Sequence, residues 1–169
     1  MPQPSNAATR RAQGNDVGEA GVHPLQRRAR RVAVHPPRSF AATGKFKATI
    51  DKASNTIRCE VSYSGLEGDV RQSHIHFGQR SVTGGISIWL CQTTFNVSPV
   101  ATTPPCPQSG TVTGVISAAD VIGPAGQGIA AAQYAEILAA IGAGVAYVNV
   151  HSSPYLGGEI RGQLRGDDD

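Results

Sequence analysis

From residue 45 onward, apolar and polar positions alternate, and the alternation is broken at short intervals. Lys45-Phe46-Lys47-Ala48-Thr49-Ile50 follows period two and reads as a strand. Asp51-Lys52-Ala53-Ser54-Asn55 is a cluster of turn formers. Residues 56–63 alternate again, with Ile57, Cys59, Val61 and Tyr63 on one face and Arg58, Glu60 and Ser62 on the other. That is the pattern of a half-buried antiparallel strand. Further strands are expected over residues 72–77, 86–90, 110–116, 144–151 and 158–165. Residues 92–108 form a long Thr- and Pro-rich loop, and residues 117–128 have no regular pattern. Residues 131–141 are the one good helix candidate, with Ile137, Leu138 and Ile141 on one side and Gly142 as the stop. Some seven short strands separated by turn signals predict an all-β sandwich or barrel with one short helix.

Composition changes the picture at the N-terminus. Residues 1–44 carry seven arginines against Asp16 and Glu19, a net charge of +5, whereas residues 45–169 carry eight Lys/Arg against ten Asp/Glu, a net of −2. The basic character therefore belongs to the leading segment. The near-neutral remainder has no electrostatic footprint for nucleic acid. Residues 1–43, with an Arg cluster at positions 27, 28, 30 and 31 and no sustained periodicity, are expected to be a disordered basic extension. An anionic-surface tail or an organellar presequence are the other readings of such a segment. No apolar h-region precedes Ser39-Phe40-Ala41-Ala42, so no signal peptide is read there. The domain is placed at residues 44–166, followed by an acidic tail at 167–169. No apolar run approaches the length of a spanning helix. Nothing in the sequence sets the oligomeric state.

Cysteine placement points outside the cytoplasm. Cys91 and Cys106 bracket the Thr/Pro loop. A disulfide closing about 15 residues would contribute roughly 3 kcal/mol in the chain-entropy account. A metal-binding Cys pair would need a matching Cys-x-x-Cys or a nearby His, which is lacking. Cys59 falls on the inward face of its strand and reads as a small buried hydrophobe.

Candidate chemistry rests on histidine. His23 and His35 lie in the leading segment, and the other three are His74, His76 and His151. In Ser73-His74-Ile75-His76-Phe77 the two imidazoles share one strand face while Ile75 and Phe77 take the other. His151 ends a strand in which it shares a face with Tyr147 and Asn149, opposite Val148 and Val150. If the two strands are neighbours, three imidazoles meet on one sheet surface, a donor set that suits copper or zinc. The alternative is that each histidine is a hydrogen-bonded structural residue.

Ser73-His74-Ile75-His76-Phe77-Gly78, Tyr147-Val148-Asn149-Val150-His151-Ser152 and Gly158-Glu159-Ile160-Arg161-Gly162-Gln163-Leu164, with Ala118-Ala119-Asp120-Val121-Ile122-Gly123-Pro124 between them, resemble the signature of the CHRD (chordin-repeat) domain. The family occurs as repeats in the animal morphogen antagonist chordin and as stand-alone exported bacterial proteins. A single copy with a Cys91–Cys106 loop resembles the bacterial type. The resemblance implies an exported, immunoglobulin-like β-sandwich, extracytoplasmic in location, and supplies no reaction. A looser similarity, to copper–zinc superoxide dismutases, implies a Greek-key sandwich in which His74, His76 and His151 correspond to three copper ligands. The chain departs from that pattern: residues 45–169 contain no further His and no evident acidic zinc-site cluster.

On the last strand Glu159 and Arg161 alternate with apolar residues. Glu159, with Asn149, is a candidate to orient a ligating His, and Arg161 to attract an anion. Alternatively Glu159 and Arg161 form a polar ladder worth at most about 1 kcal/mol. Trp89 and Tyr147 read as core or sheet-face packing. Three functions are thus in play: an exported domain holding copper or zinc through His74, His76 and His151; an interaction or adhesion module meeting another exported or cell-surface protein; and a copper-dependent, superoxide dismutase-like oxidoreductase. No hydrolase arrangement of Ser/His/Asp or Cys/His can be assembled.

Overall fold

The computed structural model of the protein describes residues 23–27 and 41–165. The elements run β1 (His23–Arg27), β2 (Thr43–Asp51), β3 (Thr56–Ser64), β4 (Val70–Phe77), β5 (Ile86–Cys91), β6 (Gly110–Ile116), α1 (Tyr134–Gly142), β7 (Ala146–Ser152) and β8 (Tyr155–Gln163). They form two antiparallel four-stranded sheets, ordered β1-β2-β3-β6 and β5-β4-β7-β8. Neighbours β3 and β6, like β4 and β7, are distant in sequence, so the chain crosses between sheets as in a Greek key. The expected mainly-β sandwich with one short helix is what the chain forms.

The period-two faces meet in one core. Phe46, Ile57 and Val61 from one sheet pack with Ile75, Ile88, Val148, Val150 and Ile160 from the other. Ile137 and Ile141 of α1 are buried in the same cluster, and Leu138 is partly buried against it. The turn at residues 51–55 is closed by Asp51, whose Oδ1 accepts from the N–H groups of Ala53 (3.0 Å) and Ser54 (3.2 Å). Cys59 is a free, partly buried thiol, and burial pushes its pKa up to about 12. The Cys91–Cys106 disulfide is present, with Cα atoms 5.0 Å apart. Inside its loop, Gln92 substitutes for a ladder: its Nε2 donates to the Thr103 carbonyl (2.6 Å) and its Oε1 accepts from the Ser98 N–H (2.8 Å).

Three details differ from the sequence reading. Helix α1 begins later, because Ala132 adopts a positive φ of 65°, and Gly142 is its last residue rather than its stop: Ala143 is the C-cap and the left-handed turn that ends the helix falls at Gly144, with φ 71°. The Val145 N–H then reaches back to the Ala140 carbonyl (2.9 Å), a Schellman closure. Strand β8 starts at Tyr155 rather than 158, because only Ser153 and Pro154 separate it from β7. Strand β1 falls in the segment read as a disordered extension and pairs antiparallel with β2, Leu25 opposite Ala48. A backbone ladder on a sheet edge needs no apolar periodicity, and an edge is where a strand proline such as Pro24 is tolerated.

One departure from simple sandwich logic matters for function. An antiparallel sheet facing water should alternate buried and exposed residues, yet every residue of β7 is buried. The histidine-bearing face of the β5-β4-β7-β8 sheet is met by the segment 78–85 and by the first residues of β8, which bond His76, Arg161 and Gln163 on one side and Asn149 and His151 on the other.

Candidate metal centre

Strand register decides whether the histidines meet. In the β4–β7 pair, His74 lies opposite Asn149, His76 opposite Tyr147, and Gln72 opposite His151. His151 is thus the diagonal neighbour of His74, within reach of long side chains. The same rows continue sideways, with Trp89 of β5 opposite His74, and Arg161 and Gln163 of β8 opposite Asn149 and Tyr147. In the β4–β5 pair, register shifts fall between Ser73 and His74 and between Ile75 and His76, immediately before each histidine. Such irregularities re-aim side chains.

One ring nitrogen from each of His74, His76 and His151 lies within 4.8 Å of the other two, and no further His, Cys, Asp or Glu joins this group among the described residues. His74 Nδ1 is 3.3 Å from His151 Nε2. Three points so spaced share a centre within about 2.8 Å of each, so shifts of under an ångström reach the ~2.0 Å of a metal–imidazole bond.

The backbone fixes the tautomers of two of the rings. His76 Nδ1 is 3.0 Å from the Gly84 carbonyl, and His151 Nδ1 is 2.8 Å from the Leu156 carbonyl. A carbonyl only accepts, so each Nδ1 carries the proton and each Nε2 presents a lone pair. Carbonyl contacts of this kind orient metal-ligating imidazoles. His76 Nε2 and His74 Nε2 are buried with no hydrogen-bond partner. An unsatisfied buried nitrogen costs about 1–3 kcal/mol, and on His76 it is the nitrogen that the Gly84 contact leaves with its lone pair.

All three rings are nearly inaccessible, with His74 at 0%, His76 at 7% and His151 at 5% exposure. Burial depresses their basicity: His74 falls to about 2, with further repulsion from His151 and His76, and His76 falls to about 4, its loss partly offset by the Gly84 hydrogen bond. His151 is lowered by burial as well, against the Leu156 hydrogen bond. The cluster is neutral near pH 7, the state in which imidazole ligates metal.

The cover is built from specific contacts. The Gly84 N–H donates to Tyr147 Oη (3.1 Å). Arg161 donates to the carbonyls of Val82 (2.8 Å) and Gln79 (2.9 Å), and Gln163 to that of Gly78 (2.9 Å). At Gly84 an added Cβ would lie 1.6 Å from the Phe77 carbonyl oxygen, so only glycine lets the segment approach β4 closely enough to reach His76. The Tyr147 ring stacks with His76 at 4.8 Å and carries the Arg161 guanidinium 3.3 Å from its centroid. Trp89 meets His74 edge-on at 4.3 Å.

The remaining candidates lie around the rings rather than on them. Asn149 donates from Nδ2 to the Gly157 carbonyl (3.2 Å) and so braces the start of β8, which carries Leu156. Glu159 touches no histidine: it accepts from Ser152 Oγ (2.5 Å) and from the Glu67 N–H (2.9 Å). Arg161 is 6% exposed and is engaged with loop carbonyls. Sequence reasoning missed Gly84 and Leu156 as orienting groups, because they act through backbone carbonyls that every residue type carries.

The CHRD domain profile matches residues 28–164, most of the chain and all three histidines. The chain belongs to the CHRD family. The match opens at residue 28, upstream of the Gly44 start read from the pattern. Searches of curated proteins and of solved structures return no match. The CHRD motifs thus occupy the strands that build the histidine cluster: His74-Ile75-His76 in β4, Asn149-Val150-His151 in β7, and Gly158-Glu159-Ile160-Arg161 in β8.

Proposed function

We propose that this CHRD domain binds a single copper ion through His74 Nδ1, His76 Nε2 and His151 Nε2, and works outside the cytoplasm as a copper-holding protein. The observation that carries the reading is the pair of backbone-fixed tautomers, which leave the lone pair of His76 Nε2 with no hydrogen-bond partner and that of His151 Nε2 3.3 Å from His74 Nδ1, all within one buried cluster. An all-imidazole donor set suits copper and zinc, and copper stands above zinc in intrinsic affinity. The disulfide supports an oxidising compartment. Holding rather than turnover is favoured because the rings are closed off from solvent on every side that the structure describes.

Trp89 is the only tryptophan in the chain and packs on His74, so it reports on the site. Titration of the full chain with copper should quench its fluorescence with an end point at one equivalent. The His76→Ala/His151→Ala variant, checked for folding by circular dichroism, should lose both quenching and uptake. Unchanged uptake in that folded variant would exclude the site. Superoxide turnover by the loaded protein above that of free copper ions would move the reading to a redox enzyme.

A second reading has its own observation. Phe95 and Val97 are 74% and 71% exposed on the disulfide-tied loop, with the Arg71 guanidinium 4.2 Å from the Phe95 ring centroid. An interaction module would bind an exported or cell-surface partner through this loop, lose binding on Phe95→Ala, and be indifferent to chelators.

A further inference from the structure

The proposed copper site also discriminates between the ion's charge states. Resting on that reading, we infer that the site selects monovalent, cuprous copper over cupric copper and over zinc.

Three features of the molecule point the same way. First, the donors are three uncharged imidazoles, with no carboxylate or thiolate in the group among the described residues. A bound ion therefore keeps its whole charge inside the fold. Second, that charge is deeply buried. The cost of desolvating an ion rises with the square of its charge, so a dication costs on the order of four times what a monocation does in the same cavity. Third, a fixed positive charge stands beside the cluster. Arg161, itself buried, lies against the Tyr147 ring that stacks on His76. Its side-chain hydrogen bonds run to the Val82 and Gln79 carbonyls and the Gln163 amide oxygen, all neutral acceptors. Glu159, the acid two residues away on β8, is engaged by Ser152 and the Glu67 backbone instead. The guanidinium is thus uncompensated by a hydrogen-bonded carboxylate, and it penalises each added positive charge on the ion.

Coordination number adds to the electrostatics. Three protein nitrogens satisfy a d10 cuprous ion. Cupric copper prefers a tetragonal arrangement and zinc a tetrahedral one, so both require at least one more ligand. The group offers none, and Trp89, Tyr147 and the 78–85 segment occupy the space around the rings.

The test is a pair of affinities on the full chain. Cuprous affinity is measured without oxygen against a chromophoric cuprous chelator, and cupric affinity against an amino-acid chelator. Cuprous copper should bind at least 100-fold tighter, which places the bound couple about 120 mV above the aqueous one at 59 mV per tenfold. Zinc should compete no better than cupric copper. Arg161→Gln should narrow the cuprous preference about tenfold, and Arg161→Lys, which keeps the charge, should preserve it. Equal or inverted copper affinities, in a protein that still takes up one copper, would overturn the selectivity and leave the copper site standing. Failure to bind either charge state would overturn both. The wild-type ratio decides the matter even if an Arg161 variant does not fold.

Discussion

Acidification should unfold the metal-free protein through its histidines, well above the range where carboxylates titrate. The groups are His74 and His76, whose pKa values drop from 6.5 to about 2 and about 4 on folding, with His151 shifted in the same direction. The sign follows from which form is buried. The native rings are held neutral, whereas the unfolded chain's imidazoles charge below about pH 6.5. Between the unfolded and folded pKa values the unfolded state binds more protons, so stability rises with pH there. It is fully present above pH 6.5 and is lost as the pH falls. Each such histidine removes close to 1.4 kcal/mol per pH unit once the unfolded ring is charged. His74 and His76 together remove about 2.4 kcal/mol between pH 6 and pH 5, where the unfolded rings are still completing their protonation, and His151 adds to the same slope. Against a total of about 5–15 kcal/mol for a domain, that is a large loss. Urea titrations of chelator-treated protein at half-unit steps from pH 7.5 to 4.5 measure it directly. The midpoint should hold steady above pH 7 and fall steeply below 6.5. A His151→Gln variant should show a shallower slope. A flat profile from pH 6.5 to 5 would mean that the rings protonate in place, and the buried neutral cluster would have to be abandoned.

Two further outcomes test the parts around the site. Gly158 has φ 104°, and a Cβ there would lie 2.1 Å from Asn149 Oδ1, while the neighbouring Gly157 has nothing within 4 Å of its added Cβ. Gly158→Ala should therefore cost about 3 kcal/mol in thermal or urea unfolding and weaken copper uptake by displacing the Leu156 carbonyl, while Gly157→Ala stays within roughly 0.5 kcal/mol of wild type. The Cys91→Ser/Cys106→Ser variant should lose about 3 kcal/mol of stability, yet retain copper binding, because the disulfide closes the 92–105 loop and touches none of the three rings; loss of copper from the folded variant would show that the loop supports the centre.

The strands and the shared face of His74 and His76 were legible because side-chain alternation is a local property of extended backbone. The same logic put Ile75 and Val148 inside, and the spacing of Cys91 and Cys106 around a patternless loop announced their bond. The roles offered for Glu159 and Asn149 show where local reasoning stops. Strand position placed them near the histidines, but their partners, Ser152, the Glu67 N–H and the Gly157 carbonyl, are set by how the turns fold back.

The sequence by itself determined a β-sandwich with three histidines on strand faces, since those features depend only on residue type and period two, and its motifs carried the resemblance to the CHRD family. The tertiary structure decided that the three rings converge, because convergence needs the β4–β7 register that sets His151 diagonal to His74. It also decided that the face is covered and that Nε2 is the nitrogen left with its lone pair on His76 and His151. Those outcomes rest on the carbonyls of Gly84 and Leu156, and a backbone carbonyl leaves no mark in the sequence that places it.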